Sequence, residues 1–174
     1  MFALIFTCPL AFGARASISG FMKLLLNIAV AASLAVPAAA EEPTVFERWT
    51  EDPTQVFDGA EIALDELTWV LRPLVIFADT PEDPRFKQQM DLLLAEMDQL
   101  AERDVIVITD TDRTAMTDLR TELRPRGYML TLVGKDGRVA LRKPSPWSVR
   151  ELSRSIDKMP LRQQEISDRR LAGE

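Results

Sequence analysis

Two apolar runs, Leu74-Val75-Ile76-Phe77-Ala78 and Val105-Ile106-Val107-Ile108, interrupt a chain that otherwise mixes polar and apolar positions. Continuous runs of this length suit strands buried on both faces. Between them Phe86, Met90, Leu93, Leu94, Met97 and Leu100 recur at helical spacing, while Arg85, Lys87, Asp91, Glu96, Asp98 and Glu102 take the other side. That pattern predicts one long helix, and two strands joined by such a helix run parallel. After the second run, residues 110–114 open a shorter helix that carries Met116, Leu119 and Leu123 on one face and stops at Pro125. Residues 128–133 and 138–142 read as strands around Gly134-Lys135-Asp136-Gly137, where Asp136-Gly137 is a hairpin signal. Ser145-Pro146 and Ser148 with Glu151 offer two overlapping helix starts. Val149, Leu152, Ile156 and Met159 then hold helical spacing up to Pro160.

The expected order is β-α-β-α-β-β-α. An α/β class follows, with a mixed central sheet between helices, a thioredoxin-like three-layer α/β/α arrangement. Residues 41–68 read as a lead-in: polar and extended over 41–55, with Phe46 and Trp49 as isolated anchors, then a short helix over 60–67. The domain proper is expected over 69–160, and residues 161–174 form a polar tail.

The first 40 residues are of another kind. Met22-Lys23 precedes an apolar run from Leu24 to Val36, followed by Pro37 and Ala38-Ala39-Ala40, and charge returns at Glu41-Glu42. A basic residue, a short apolar run and small residues at a cleavage site make a secretory signal. The run has 13 residues, short of the roughly 20 that span a bilayer. Residues 1–40 are therefore expected to be a signal peptide cleaved after Ala40. The mature protein is expected to be periplasmic or secreted, with no membrane span after cleavage. Thr7 stands before Cys8 where a lipoprotein box has a small residue, so no lipid anchor is expected.

Removal of that segment changes the available chemistry. Cys8 is the single cysteine and the chain has no histidine. A mature chain from Glu41 then has neither residue. Disulfide exchange and thiol peroxidase chemistry are closed to it, as are His-based zinc sites and Ser–His or Cys–His nucleophiles. The mature 134 residues suffice for one domain with a core. Their net charge is −8, which argues against nucleic-acid binding, since that rests on neutralising phosphates. The charge is uneven: −14 over residues 41–118 and +6 over 119–174. Two solvated faces account for this, and a basic face docking an acidic partner is the sharper alternative.

The stretches Arg72-Pro73-Leu74-Val75-Ile76-Phe77-Ala78, Asp83-Pro84-Arg85, Glu102-Arg103-Asp104-Val105-Ile106-Val107, Leu132-Val133-Gly134-Lys135-Asp136-Gly137 with Leu141-Arg142, and residues 156–165 occur in an order and spacing that carry a resemblance. Over residues 70–166 the chain resembles the uncharacterised thioredoxin-like domains of exported bacterial proteins, related to modules in animal extracellular sushi-repeat and coiled-coil proteins. The resemblance implies a thioredoxin-like fold and an extracytoplasmic location. It supplies no catalytic residue.

In thioredoxin-like enzymes the reactive cysteines lie between a central strand and the next helix. The equivalent stretch here is Asp79-Thr80-Pro81-Glu82-Asp83-Pro84, without a thiol. Four carboxylates are candidates instead. Asp79 and Asp83 follow the first strand, and Asp110 and Asp112 the second. Parallel neighbours place both loops at the carboxyl edge of the sheet, where α/β folds bind ligands. Four acids could hold Ca²⁺ or Mg²⁺. Helix capping is the preferred reading, because a cap alone explains each of these residues; Asp110-Thr111-Asp112 also lacks the spacing of an EF-hand loop, which lowers the metal reading further. Trp69, Tyr128 and Trp147 are expected to pack in the core or hairpin. Arg120, Arg124, Arg126, Arg138, Arg142 and Lys143 are read as cations guarding a solvated sheet edge, with an acidic-ligand patch as the alternative.

The expectation is an exported thioredoxin-fold module without redox cysteines that binds an envelope or extracellular protein, either as a recognition domain or as an accessory subunit. No cofactor and no nucleic acid are expected. A metal-dependent enzyme or sensor using the Asp cluster is the alternative.

Overall fold

The alternation of the two apolar runs decides the architecture. A computed structural model describes residues 42–173; the signal segment and its cleavage site after Ala40 lie outside the described residues. In chain order the elements are α1 (Val45–Glu51), β1 (Val56–Asp58), a 3₁₀ turn (Gly59–Glu61), α2 (Leu64–Leu67), β2 (Arg72–Phe77), α3 (Pro84–Leu94), α4 (Met97–Ala101) and β3 (Val105–Asp110). Then come α5 (Asp118–Leu123), β4 (Met129–Val133), β5 (Val139–Lys143), α6 (Val149–Ile156) and α7 (Pro160–Ala172). The sheet order is β1-β3-β2-β4-β5. β1 and β2 run parallel to β3, and β4 runs antiparallel to both β2 and β5.

Successive strand residues face opposite sides, so β2 and β3 each feed two cores. Val75 and Phe77 with Ile106 and Ile108 pack against Val45, Trp49, Leu67, Leu119 and Leu123 from α1, α2 and α5. Leu74 and Ile76 with Val105 and Val107 pack against Leu93, Met97, Leu100, Leu152 and Ile156 from α3, α4 and α6. Every residue of β2 is buried. The molecule is a three-layer α/β fold with a mixed sheet at its centre.

The segment read as an extended lead-in is instead structured. Thr44 and Glu47 form a capping box for α1, with Glu47 Oε2 accepting from the Thr44 amide at 2.8 Å. Val45 and Trp49 are buried there, and the Trp49 indole donates to the Val105 carbonyl at 3.2 Å. β1 then adds a fifth strand, its Phe57 beside Ile108. The long helix is divided: a joint at Ala95 and Glu96 turns Met97 and Leu100 onto the sheet and leaves Leu94 exposed. The shorter helix begins at Asp118, not at residue 110, because Thr117 is its N-cap and accepts from the Arg120 amide at 3.2 Å.

The polar tail is helix α7. Pro160 sits at its first turn, where a missing N–H is tolerated. Arg162 is buried and donates to the Glu102 carbonyl at 3.2 Å, and Glu165 accepts from Arg72 at 2.7 Å. Arg72 is 1% exposed. Its other donor reaches the Arg103 carbonyl at 2.8 Å. Lys135 lies 2.8 Å from Asp104 and 3.2 Å from Glu165. This ion network closes the amino edge of the sheet and leaves the carboxyl edge open.

Candidate functional site

The carboxyl ends of β2 and β3 deliver two loops to one edge. Ala78 at the end of β2 donates its amide to the Asp110 carbonyl at 3.0 Å, so residues 79–83 and 111–117 leave the sheet side by side. α5 and the connection 124–127 form the third wall.

Asp110 is 3% exposed and Arg120 8% exposed. Arg120 Nε donates to Asp110 Oδ1 at 2.7 Å, and Nη2 donates to the Ala78 carbonyl at 2.6 Å and the Asp110 carbonyl at 3.0 Å. Thr117 Oγ1 donates to the other Asp110 oxygen at 2.6 Å. The guanidinium also lies 5.5 Å from the centre of the Phe77 ring. One cation thus ties α5 to the ends of both central strands. A buried charge needs a partner and hydrogen bonds, and here each has both. Arg120 is therefore not one of the solvated edge cations. Its place three residues before Leu123 and one after Leu119, on the buried face of α5, is the signal that marks it.

The other three acids are apart in role. Asp83 N-caps α3, accepting from the Arg85 amide at 2.8 Å and pairing with the Arg85 guanidinium at 2.9 Å. The Arg85 hydrogen bond holds its carboxyl below the usual range. Asp112 accepts from the Thr114 hydroxyl at 2.6 Å and the Thr114 amide at 2.7 Å, an Asx turn that likewise lowers its carboxyl. Asp79 is exposed, with Arg113 at 3.9 Å. Asp110 and Asp112 thus do not cap α5. Among the described residues no group of three or more His, Cys, Asp or Glu side chains stands close enough to hold a metal ion.

The open part of this edge is a groove of about 630 Å³ lined by Asp79, Arg113, Met116, Arg120, Arg124 and Arg126, together with Pro125 and Gly127. Arg124 ends α5 in the left-handed region, φ 48° and ψ 57°, and Gly127 has φ 61°. Arg142 donates to the Leu123 carbonyl, which fixes the last turn of α5 beneath the groove. The side chains of Arg124 and Arg126 are exposed and have no carboxylate within ion-pairing distance among the described residues.

The three aromatic candidates divide. Tyr128 is buried, its phenol pushed up to about 12 by burial, and it donates to Gln89 at 3.2 Å. Gln89 also pairs with both backbone groups of Trp147. Trp147 is partly buried, with the Lys143 ammonium 4.0 Å from its ring centre. Trp69 is not packed: it is 68% exposed, and its backbone is left-handed with φ 67°.

The three-layer mixed sheet with an open carboxyl edge defines an α/β domain whose edge lacks thiols. The chain belongs to the family described as Domain of unknown function (DUF4174), whose model matches residues 63–165. A comparison with curated proteins finds no match. Among the described residues no helix is long and apolar enough to cross a membrane.

Proposed function

We propose that the chain is an exported thioredoxin-fold module, periplasmic or secreted, that acts by binding a protein of the cell envelope or extracellular space and carries out no thiol chemistry. The observation that carries this reading is the β2–α3 junction. Residues 79–83 occupy the position where a thioredoxin-type enzyme keeps its cysteines, and this chain keeps an exposed acid and a helix cap there. The open groove beside it carries the exposed cations Arg124 and Arg126, which pair with no carboxylate among the described residues. A metal-dependent enzyme or sensor ranks below, because Asp83 and Asp110 spend both carboxylate oxygens on protein donors and Asp112 spends one on Thr114. The signal-like pattern of residues 22–40 supports export.

Chemical crosslinking in the intact envelope, followed by purification of the chain, is the decisive experiment. The expected result is a discrete crosslinked partner and a mature N-terminus at Glu41. Insulin reduction above blank by the pure mature protein, or an N-terminus at Met1 or Met22, would overturn the reading.

A further inference from the structure

The geometry of the groove points to a second, narrower conclusion: we infer that it recognises an acidic peptide segment, whose carboxylates are held by Arg120, Arg124 and Arg126. This deepens the binding-module reading and rests on it.

The chain as a whole is an anion with net charge −6. Four arginines, Arg113, Arg120, Arg124 and Arg126, line one groove and are a local exception to that field. Two of them, Arg124 and Arg126, flank Pro125 and find no acid among the described residues. The turn that carries them is set in advance by the left-handed backbone at Arg124, the ring of Pro125 and the positive φ of Gly127. A backbone set before binding lowers the ordering cost of association.

Arg120 adds a donor at fixed depth. Its Nε and Nη2 are occupied by Asp110 and Ala78. Nη1 has no hydrogen-bond partner among the described residues, and Arg120 lines the groove. A guanidinium with one free nitrogen, immobilised by three bonds, suits a carboxylate oxygen.

The chemistry of the lining favours a peptide. Arginines and an exposed methionine share one open volume of about 630 Å³. Asp79 stands in the wall, 3.9 Å from Arg113, and repels a compact dianion. A segment with spaced acids can pass it. Met116, 69% exposed with φ 46°, offers an apolar surface to the side chains between those acids.

The test uses the mature protein and a short fluorescein-labelled peptide of alternating Glu and Leu, followed by anisotropy at low and at physiological salt. A Gln-for-Glu peptide, inorganic phosphate and a labelled single-stranded oligonucleotide serve as rivals. The expected result is saturable binding of the Glu peptide that weakens with salt, and none of the Gln peptide. Arg124→Glu/Arg126→Glu should weaken it by about tenfold or more. Arg124→Lys/Arg126→Lys should retain most of it. Both pairs are exposed, and unchanged circular dichroism and melting would show that they fold. Equal binding of the two peptides, indifference to the charge reversal, displacement by phosphate at matched ionic strength, or preference for the oligonucleotide would each overturn the proposal. A crosslinked envelope partner that survives Arg124→Glu/Arg126→Glu would sink this site and leave the binding-module reading standing. Loss of that partner in the parent protein would remove the broader reading instead.

Discussion

The guanidinium of Arg120 and the carboxylate of Asp110 meet at 2.7 Å beneath the open edge of the sheet, both almost fully buried. The pair links α5 to the last residue of β3. Removing one member strands a buried charge. Asp110→Ala should therefore destabilise the fold by about 3–5 kcal/mol in urea titration, whereas replacing both members with apolar residues of similar volume should cost far less. Equal losses for the single and double variants would contradict this account.

The Asp edge separates capping from cation binding. Asp83→Asn should leave stability nearly unchanged, since Asn caps as well as Asp, and Asp83→Ala should cost about 1 kcal/mol. Millimolar Ca²⁺ or Mg²⁺ should not move the melting temperature of the parent. A metal-dependent rise that Asn substitutions at Asp79 and Asp112 abolish would restore the metal site.

Close approach, and not a positive φ, favours glycine at position 59. A Cβ there would lie 3.0 Å from Asp110 Cβ, 3.1 Å from Leu119 Cδ1 and 3.2 Å from the Thr109 carbonyl. These neighbours are buried or tied to the sheet. Gly59→Ala should lower stability by about 1–3 kcal/mol, read as a shifted denaturation midpoint with unchanged slope.

Trp69 carries its exposed ring on a left-handed backbone, a conformation that bulky residues avoid. Trp69→Asn should be neutral or stabilising, because Asn tolerates this region and little packing is lost. The variant should also lose the most red-shifted part of the tryptophan emission. A marked fall in melting temperature would mean that the indole supports the fold.

Glu165 links stability to acid. Burial raises its carboxyl, and the hydrogen bonds and charges of Arg72, with help from Lys135 and Arg162, outweigh that, so it lies below its ordinary value of 4.5. A lowered folded value means the contribution is complete above pH 4.5 and is lost as pH falls through the lowered value. Acid titration should therefore weaken α7, and Glu165→Gln should remove that part of the pH dependence. Hydrogen exchange of the α7 amides between neutral and acid pH measures it.

The central sheet was legible because β2 and β3 are buried on both faces and write themselves as unbroken apolar runs. The hairpin was legible from Asp136-Gly137, where Gly137 has φ 74°. β1 escaped notice because Val56-Phe57-Asp58 is three residues long and its Phe57 gains meaning only beside Ile108. The joint between α3 and α4 has neither Pro nor Gly to announce it. At the candidate site the two loops were placed correctly by topology. Composition hid the difference between Arg120 and its neighbours: an arginine in a basic run looks solvated, and only the helical phase with Leu119 and Leu123 shows that it turns inward. The burial of Arg72 is hidden for a different reason, since its partner Glu165 lies 93 positions away.

That distance bears on how the chain can be cut. A boundary drawn where hydrophobicity ends, at Pro160, would delete Glu165 and leave the guanidinium of Arg72 facing an open edge without its nearest carboxylate. The matched family segment runs through residue 165, so it keeps that carboxylate, although it stops halfway along α7. The polar end of this protein is a structural closure made of charge, and a shortened chain that looks complete by its core would expose the amino edge of its own sheet.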